Sequence, residues 1–326
     1  MSTSGTSSFN LDLNNLVEEA FERCGSQLRS GYDLRTARRS LNLLTIEWAN
    51  RGINLWTIEQ GQINMVTGQG IYPIPIDTID LLDTVVRQNN GSTSNQIDIN
   101  ISRISESTYS TIPNKLTNGR PIQVWINRQS GETNLTSAQL IATASATDTT
   151  LYVSDVRDLP SGGFIKIISG FIATEETIGY MNIVPLNDPV YPNGGQLTNC
   201  YRGQNGTTAV QHTVGGGLTN IIYVQNLPSI NVWPTPDAGG GPYTFVYWRL
   251  RRIQDAGNGS TQQDIPFRLL PCMVAGLAFY MAQKIPEGQA RLPFLKAEYE
   301  EQWLLASTED REKAPSRFVP RTTFYV

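Results

Sequence analysis

The chain has a single histidine, His212, and any Ser-His-Asp or Cys-His relay would have to run through it. It stands in a turn-rich stretch, Asn199-Cys-Tyr-Arg-Gly-Gln-Asn-Gly206 onward to Gly215-Gly-Gly217. No GxSxG nucleophile elbow or papain-like cysteine context accompanies it, so it reads as a structural or solvent-exposed histidine. One histidine also rules out two-histidine metal sites. The cysteines Cys24, Cys200 and Cys272 lie far apart with no CxxC spacing, which fits a reducing compartment and no metal cage. Cys24 and Cys272 fall on apolar helical positions and read as small core hydrophobes. Gly68-Gln-Gly70 and Arg202-Gly-Gln-Asn-Gly206 lack both the lysine of a P-loop and the strand-to-helix setting of a dinucleotide fingerprint, so they read as turns. The expectation is a chain with no cofactor.

Charged side chains leave more room. Carboxylates stand at Glu175-Glu176, Glu298, Glu300-Glu301 and Glu309-Asp310. A glycosidase needs two across a cleft, but the later groups share one amphipathic helix, where a solvated face is the simple account. Arg35, Arg38 and Arg39 share one side of a predicted helix, and Arg249, Arg251 and Arg252 cluster at the end of one strand. A net charge of −4 argues against a primary nucleic-acid binder, so Arg35, Arg38, Arg39, Arg251 and Arg252 are candidate subunit or partner contacts.

The elements that would carry these residues are helical at both ends of the 326-residue chain and β between. Leu13, Leu16, Val17, Ala20, Phe21 and Cys24 recur on one helical face, with Gly25 as the terminating residue. A second helix is predicted after Asp33 as its N-cap, with Leu34, Ala37, Leu41, Leu44 and Trp48 as its seam and Arg51-Gly52 at its end. The two would form an antiparallel hairpin. Leu55 to Val66 reads as strand, turn and strand, Ile74 to Arg87 and Asp98 to Ile101 as strands, Ser102 to Thr111 as a short helix capped by Ser102 or Ser105, and Pro121 to Arg128 as a strand of period two. Residues 136–220 form a block without helix, predicted to be a small β-sandwich or barrel. Ile221 to Val224, Ser229 to Trp233 and Tyr243 to Arg251 are the next strands. A helix carrying Leu269, Met273, Leu277 and Met281 follows, capped by Asp264 near Pro266. The last helix runs from Leu292 to Lys313 with a Glu309–Lys313 pair. The fold class expected is α+β: a bundle of N- and C-terminal helices, a central β region and an inserted all-β domain. The divisions are 1–135 with 221–314, the insert 136–220, and an extended tail 315–326. The start from Ser2 to Asn10 has no basic and apolar signal pattern, and no apolar run spans a bilayer, so a chain made and used in soluble form is expected.

Several stretches resemble one kind of protein. They are Glu47-Trp-Ala-Asn-Arg-Gly52, Leu55-Trp56 and Glu59-Gln60-Gly61 behind the first helices, and Ser102-Arg-Ile-Ser-Glu-Ser-Thr-Tyr109, Pro113-Asn-Lys115 and Gly119-Arg-Pro121 beyond them. Trp233-Pro-Thr-Pro236, Arg251-Arg-Ile253, Leu277-Ala-Phe-Tyr280, Lys296-Ala-Glu-Tyr-Glu300 and Ala306-Ser-Thr-Glu-Asp-Arg311 continue the pattern. In this order they resemble head-to-tail adaptors of short-tailed bacteriophages, also called connectors, head-completion or tail tubular proteins, over roughly residues 10–130 and 221–320. Leu151-Tyr-Val-Ser-Asp155, Phe164-Ile-Lys-Ile167, Glu176-Thr-Ile-Gly-Tyr180 and Cys200 to His212 resemble small β-domains inserted in many virion proteins. The resemblance implies a structural protein and not an enzyme. It implies a homo-oligomeric ring of about twelve subunits, closed head to tail, at the head–tail junction of the virion. Its partners would be the portal protein and a tail nozzle protein, with a tail fibre or capsid open to the insert, and genomic DNA would pass without sequence recognition. The apolar tail, with Arg317, Phe318, Arg321, Phe324 and Tyr325, would dock on the portal by ordering there. The runner-up is a carbohydrate- or receptor-binding virion protein acting through the insert, where Tyr152, Tyr180, Tyr191 and Tyr201 would stack on sugars in the absence of any Trp. A cell-wall hydrolase is the third reading.

Overall fold

The computed structural model describes residues 11–29, 31–129, 131–169, 174–214, 220–239, 242–258 and 260–311. The fold is mixed α+β, as expected. The long helices are α1 (Leu13–Cys24), α2 (Gly31–Arg51), α4 (Leu270–Ala282) and α5 (Leu292–Glu309), and α3 (Glu106–Ser110) is short. The chain forms two compact units: residues up to Ile58 together with those from Arg252 onward, and Glu59–Arg251 between them.

In the first unit α4 is the central element. It is apolar on every side and ten of its 13 residues are buried, the signature of a helix enclosed by its neighbours. The core gathers Leu16, Val17 and Phe21 from α1, Leu41, Leu44 and Trp48 from α2, and Leu295 and Tyr299 from α5. Both α1 and α2 pack mainly on α4 and only slightly on each other, so the predicted hairpin is a pair of helices bridged by a third. Gly25 ends α1 at φ 78°, as its position suggested. Three predicted boundaries move. Asp33 lies in the first turn of α2, which already runs from Gly31. Asp264 caps nothing, because its carboxylate accepts from the Gln254 amide (3.1 Å) and its carbonyl from the Trp56 indole (2.8 Å). The helix instead begins beyond Pro266 through a 3-10 turn, Phe267–Leu269. Leu55 to Val66 is a 3-10 turn, Leu55–Thr57, followed by one strand, Ile58–Asn64. α5 ends at Glu309, and Lys313 lies outside the described residues. Among the described residues no single helix is long and apolar enough to cross a membrane.

The second unit holds two pairs of sheets and a two-stranded ribbon of Thr235–Pro236 with Asn118–Gly119. One pair has the strand orders Ile58–Asn64, Tyr243–Arg251, Thr78–Gln88, Ile97–Asn100 and Ile71–Pro73, Ser229–Trp233, Gln123–Asn127, Ser102–Arg103. Between them lie Tyr72, Leu81, Val86, Val124, Ile230, Val232, Phe245 and Tyr247. The strand Gln123–Asn127 alternates as read from sequence, with Val124 and Ile126 inward. The other pair is the β-block. Its five-stranded sheet runs Tyr201–Gln204, Thr174–Tyr180, Gly163–Ser169, Asn220–Gln225, Thr133–Gln139, and its three-stranded sheet Asn182–Pro185, Gly195–Thr198, Thr150–Val153. Ile165, Ile167, Ile178 and Ile222 meet Leu151, Val153 and Leu197 in its core. Asn220–Gln225 pairs along Gly163–Ser169, so this strand belongs to the block's sheet. The stretch Glu176 to Val184 is shared between two strands, Thr174–Tyr180 and Asn182–Pro185, with the break at Met181.

Candidate functional site

His212 is fully buried and stands in a chain of polar groups that the sequence did not reveal. Its Nδ1 lies 2.8 Å from Ser169 Oγ and its Nε2 2.9 Å from Glu176 Oε2. Ser, His and Glu are thus in line, the cast of a nucleophilic relay, but the hydrogen bonds run the wrong way. The Asn220 amide donates to the Thr213 carbonyl (2.9 Å), which turns its oxygen toward Ser169. Ser169 donates to that oxygen (2.8 Å), so its single hydroxyl hydrogen is not offered to the histidine. Glu176, also fully buried, accepts from Arg202 through both oxygens (2.8 and 2.7 Å) and from the backbone N–H of Gly203 (2.9 Å) and Val210 (3.2 Å). Burial by itself would raise the Glu176 carboxyl. The hydrogen bonds from His212, Arg202, Val210 and Gly203 outweigh it and hold the group at about 2. This constellation ties the strand Thr174–Tyr180 to the turn-rich stretch 201–212.

The arginines divide into two kinds. Arg249 is bound to Asp77 and Glu59, and Arg251 to Glu59 at 2.6 Å. Arg251 and Arg249 together hold the Glu59 carboxyl below its usual range. Arg252 is exposed. Arg251, offered by sequence as a partner contact, is therefore already matched within its own unit. Beyond α5, Asp310 accepts from the Asn54 amide (2.7 Å), Glu301 is exposed, and three carboxylates of the helix are matched: Glu298 to Arg23 (2.7 Å), Glu300 to Arg51 (3.3 Å) and Glu309 to Arg268. They are ion pairs at a solvated surface, worth little each.

Arg35, Arg38 and Arg39 differ. The 3.6-residue period of α2 turns Ala37, Leu41, Leu44 and Trp48 to the core and leaves Arg35 and Arg39 exposed with Tyr32, Leu43 and Ile46. Tyr32, Leu43 and Ile46 are more than half exposed, at 65%, 53% and 57%. Tyr32, the three arginines and Asn42 line a depression of about 480 Å³. Neither Arg35 nor Arg38 has a hydrogen bond or ion pair among the described residues, and Arg39 reaches only Thr36 at 3.3 Å. This face of α2 thus sets guanidinium groups beside the exposed Tyr32, Leu43 and Ile46. The sequence placed the arginines on one side of this helix, but Leu43 and Ile46 beyond them went unnoticed.

The docking candidates Arg317, Phe318, Arg321, Phe324 and Tyr325 lie outside the described residues. Of the tyrosines suggested as sugar platforms, Tyr180 is fully buried, with its hydroxyl on the Pro160 carbonyl (2.5 Å), and Tyr152 is 39% exposed. Among the described residues no group of three His, Cys, Asp or Glu side chains could hold a metal ion. In comparison with known proteins, no family model matches the chain and no curated protein matches it.

Proposed function

We propose that this chain is a structural head-to-tail adaptor of a bacteriophage virion, one subunit of a ring that joins portal to tail and helps to retain the packaged DNA. It would be made in the host cytoplasm and reside at the head–tail junction. The order of sequence elements supports the reading, and one structural observation carries it: the outer face of α2, where Arg35, Arg38 and Arg39 have no ion pair among the described residues and stand with Tyr32, Leu43 and Ile46. Within a ring this face packs head to tail on the next copy. The matching acids are on α1, where Glu18 and Glu22 are exposed and unpaired among the described residues. Arginine and aliphatic side chains together suit a contact that is both apolar and charge-matched.

The test is sedimentation of the purified chain at low salt, where such pairs are least screened. The native chain is expected to assemble, Arg35→Glu/Arg39→Glu to remain small, and an equal mixture with Glu18→Arg/Glu22→Arg to regain the complex. Assembly indifferent to both charge reversals would remove α2 as the ring contact. The runner-up, a carbohydrate- or receptor-binding virion protein, would act through the inserted β-block and not through α2.

A further inference from the structure

The strand Ser229–Trp233 is buried on both of its faces. One face, Ile230 and Val232, belongs to the apolar core between its sheet and the neighbouring sheet. The other face carries Ser229 and Asn231, which are only 3% and 4% exposed. An amide and a hydroxyl so deeply placed ordinarily hydrogen-bond within the protein, because leaving them unmatched away from water costs free energy. Neither side chain has a hydrogen-bond partner among the described residues, and among those residues no side-chain N or O atom shut off from open space lacks a partner. Their polar atoms therefore meet the space in front of the strand.

That space is a cleft of about 450 Å³ within the second unit. One wall is the strand pair on which Ser229 stands opposite Asn127 and Asn231 opposite Trp125. The other wall comes from the β-block, with the backbone of Gly162 and Gly163 and the side chain of Asn226. Trp125 stacks on Tyr109 of α3 at 5.1 Å between ring centres, which fixes the plane of its indole. The side chains of Asn127, Asn226 and Trp125 also have no hydrogen-bond partner among the described residues. Five uncommitted polar groups thus converge on one half-enclosed cavity, all neutral, beside a rigid aromatic ring.

We infer that this cleft is a binding site for a neutral polyhydroxylated ligand, a short saccharide, held by Asn127, Ser229, Asn231 and Asn226 and stacked on Trp125. Carboxamides and a hydroxyl can each donate and accept, which matches sugar hydroxyls that do the same. The volume is in the range of small-ligand sites. An extended peptide fits less well, since both central strands of the wall are already paired on both sides and offer no free edge for strand addition. Glu106 and Lys115 stand at the rim, and Lys115 is engaged with the carbonyls of Ser110 and Ile112 (3.2 and 3.1 Å). Glu106, exposed at the rim, is the one charged lining residue without a side-chain partner among the described residues, and the groups at the floor of the cleft are neutral. The site is independent of ring assembly, so either reading can fail without the other.

The experiment is calorimetric titration of the full chain with a panel of neutral mono-, di- and trisaccharides, and with soluble neutral polysaccharide from bacterial surfaces. Saturable binding is expected for at least one probe, at least tenfold weaker in Trp125→Ala and in Asn231→Ala with an unchanged circular dichroism spectrum. Asn226→Ala, at the opposite wall, is expected to weaken it while leaving the fold intact even if the strand variants do not fold. Binding of free short sugars marks a small-molecule site, and binding of the polysaccharide alone marks a surface glycan. Absence of binding to every probe at millimolar concentration, binding unaffected by Trp125→Ala or Asn226→Ala, or a segment of a second copy seated in the cleft of the assembled protein would overturn the inference.

Discussion

Replacing Glu176 by glutamine should be among the most damaging single changes in the second unit. The carboxylate is fully buried and receives hydrogen bonds from Arg202, Gly203, Val210 and His212. Glutamine keeps the shape but turns one acceptor into a donor that must face another donor, and it leaves the Arg202 guanidinium, whose side chain is 6% exposed, without its counter-charge. Breaking one partner of a buried ion pair costs about 3–5 kcal/mol, a large share of the ~5–15 kcal/mol by which a domain is stable. Taking about 3 kcal/mol, and ~2–4 °C per kcal/mol for a unit of this size, the melting temperature should fall by roughly 6–12 °C. The acid limb supplies a second signature. The carboxyl is held at about 2 against an ordinary 4.5. Its contribution is therefore complete above about 4.5 and is lost as pH falls toward about 2. Differential scanning calorimetry at neutral pH and down this range would show both effects, with Glu176→Gln losing less stability in acid than the native chain, since Asp155, Glu59, Asp77 and Asp98 still titrate below their usual range. The double variant Glu176→Gln/Arg202→Met should lose less than the sum of the singles. A single variant melting within about a degree of the native chain at neutral pH would refute the reasoning, since no intact buried pair could be so cheap to break.

Two further outcomes follow from packing. Gly276 sits in α4 where an added Cβ would lie 2.8 Å from the Tyr299 ring and 2.9 Å from Leu44, so Gly276→Val should destabilise the helical unit by about 1–3 kcal/mol through overpacking, read as a lower melting temperature. Burial pushes the Cys24 thiol to about 11 and those of Cys200 and Cys272 to about 12. All three should resist a thiol reagent in the native chain and react together after denaturation, and rapid native labelling of any one would contradict its burial.

The helices were legible because their information is local. The seams Leu13–Cys24 and Ala37–Trp48 repeat at the helical period, and a lone Gly25 ends the first. Boundaries moved where tertiary hydrogen bonds took a residue away from its local role, as with Asp264. The single strand Ile58–Asn64 was misread as two because Gly61 resembles a turn residue. In the fold Gly61 is required by the Tyr247 ring, which would lie 2.3 Å from a Cβ there. The buried Ser169–His212–Glu176 line could not be read at all, since its members are separated in sequence and joined only by sheet register. The arginines of α2 were found by spacing, whereas their lack of partners became visible only with the fold. The cleft over Ser229 and Asn231 escaped for a similar reason: a strand reading Ser-Ile-Asn-Val-Trp suggests one solvated polar face, and only tertiary packing buries it.

The central claim is most directly tested by measuring the mass of the complex formed when the purified chain is mixed with the portal ring of the same virion. The account predicts one large complex in which the chain forms a closed ring on the portal, lost when residues 315–326 are removed. A chain that stays apart from the portal at every salt concentration tried would contradict it.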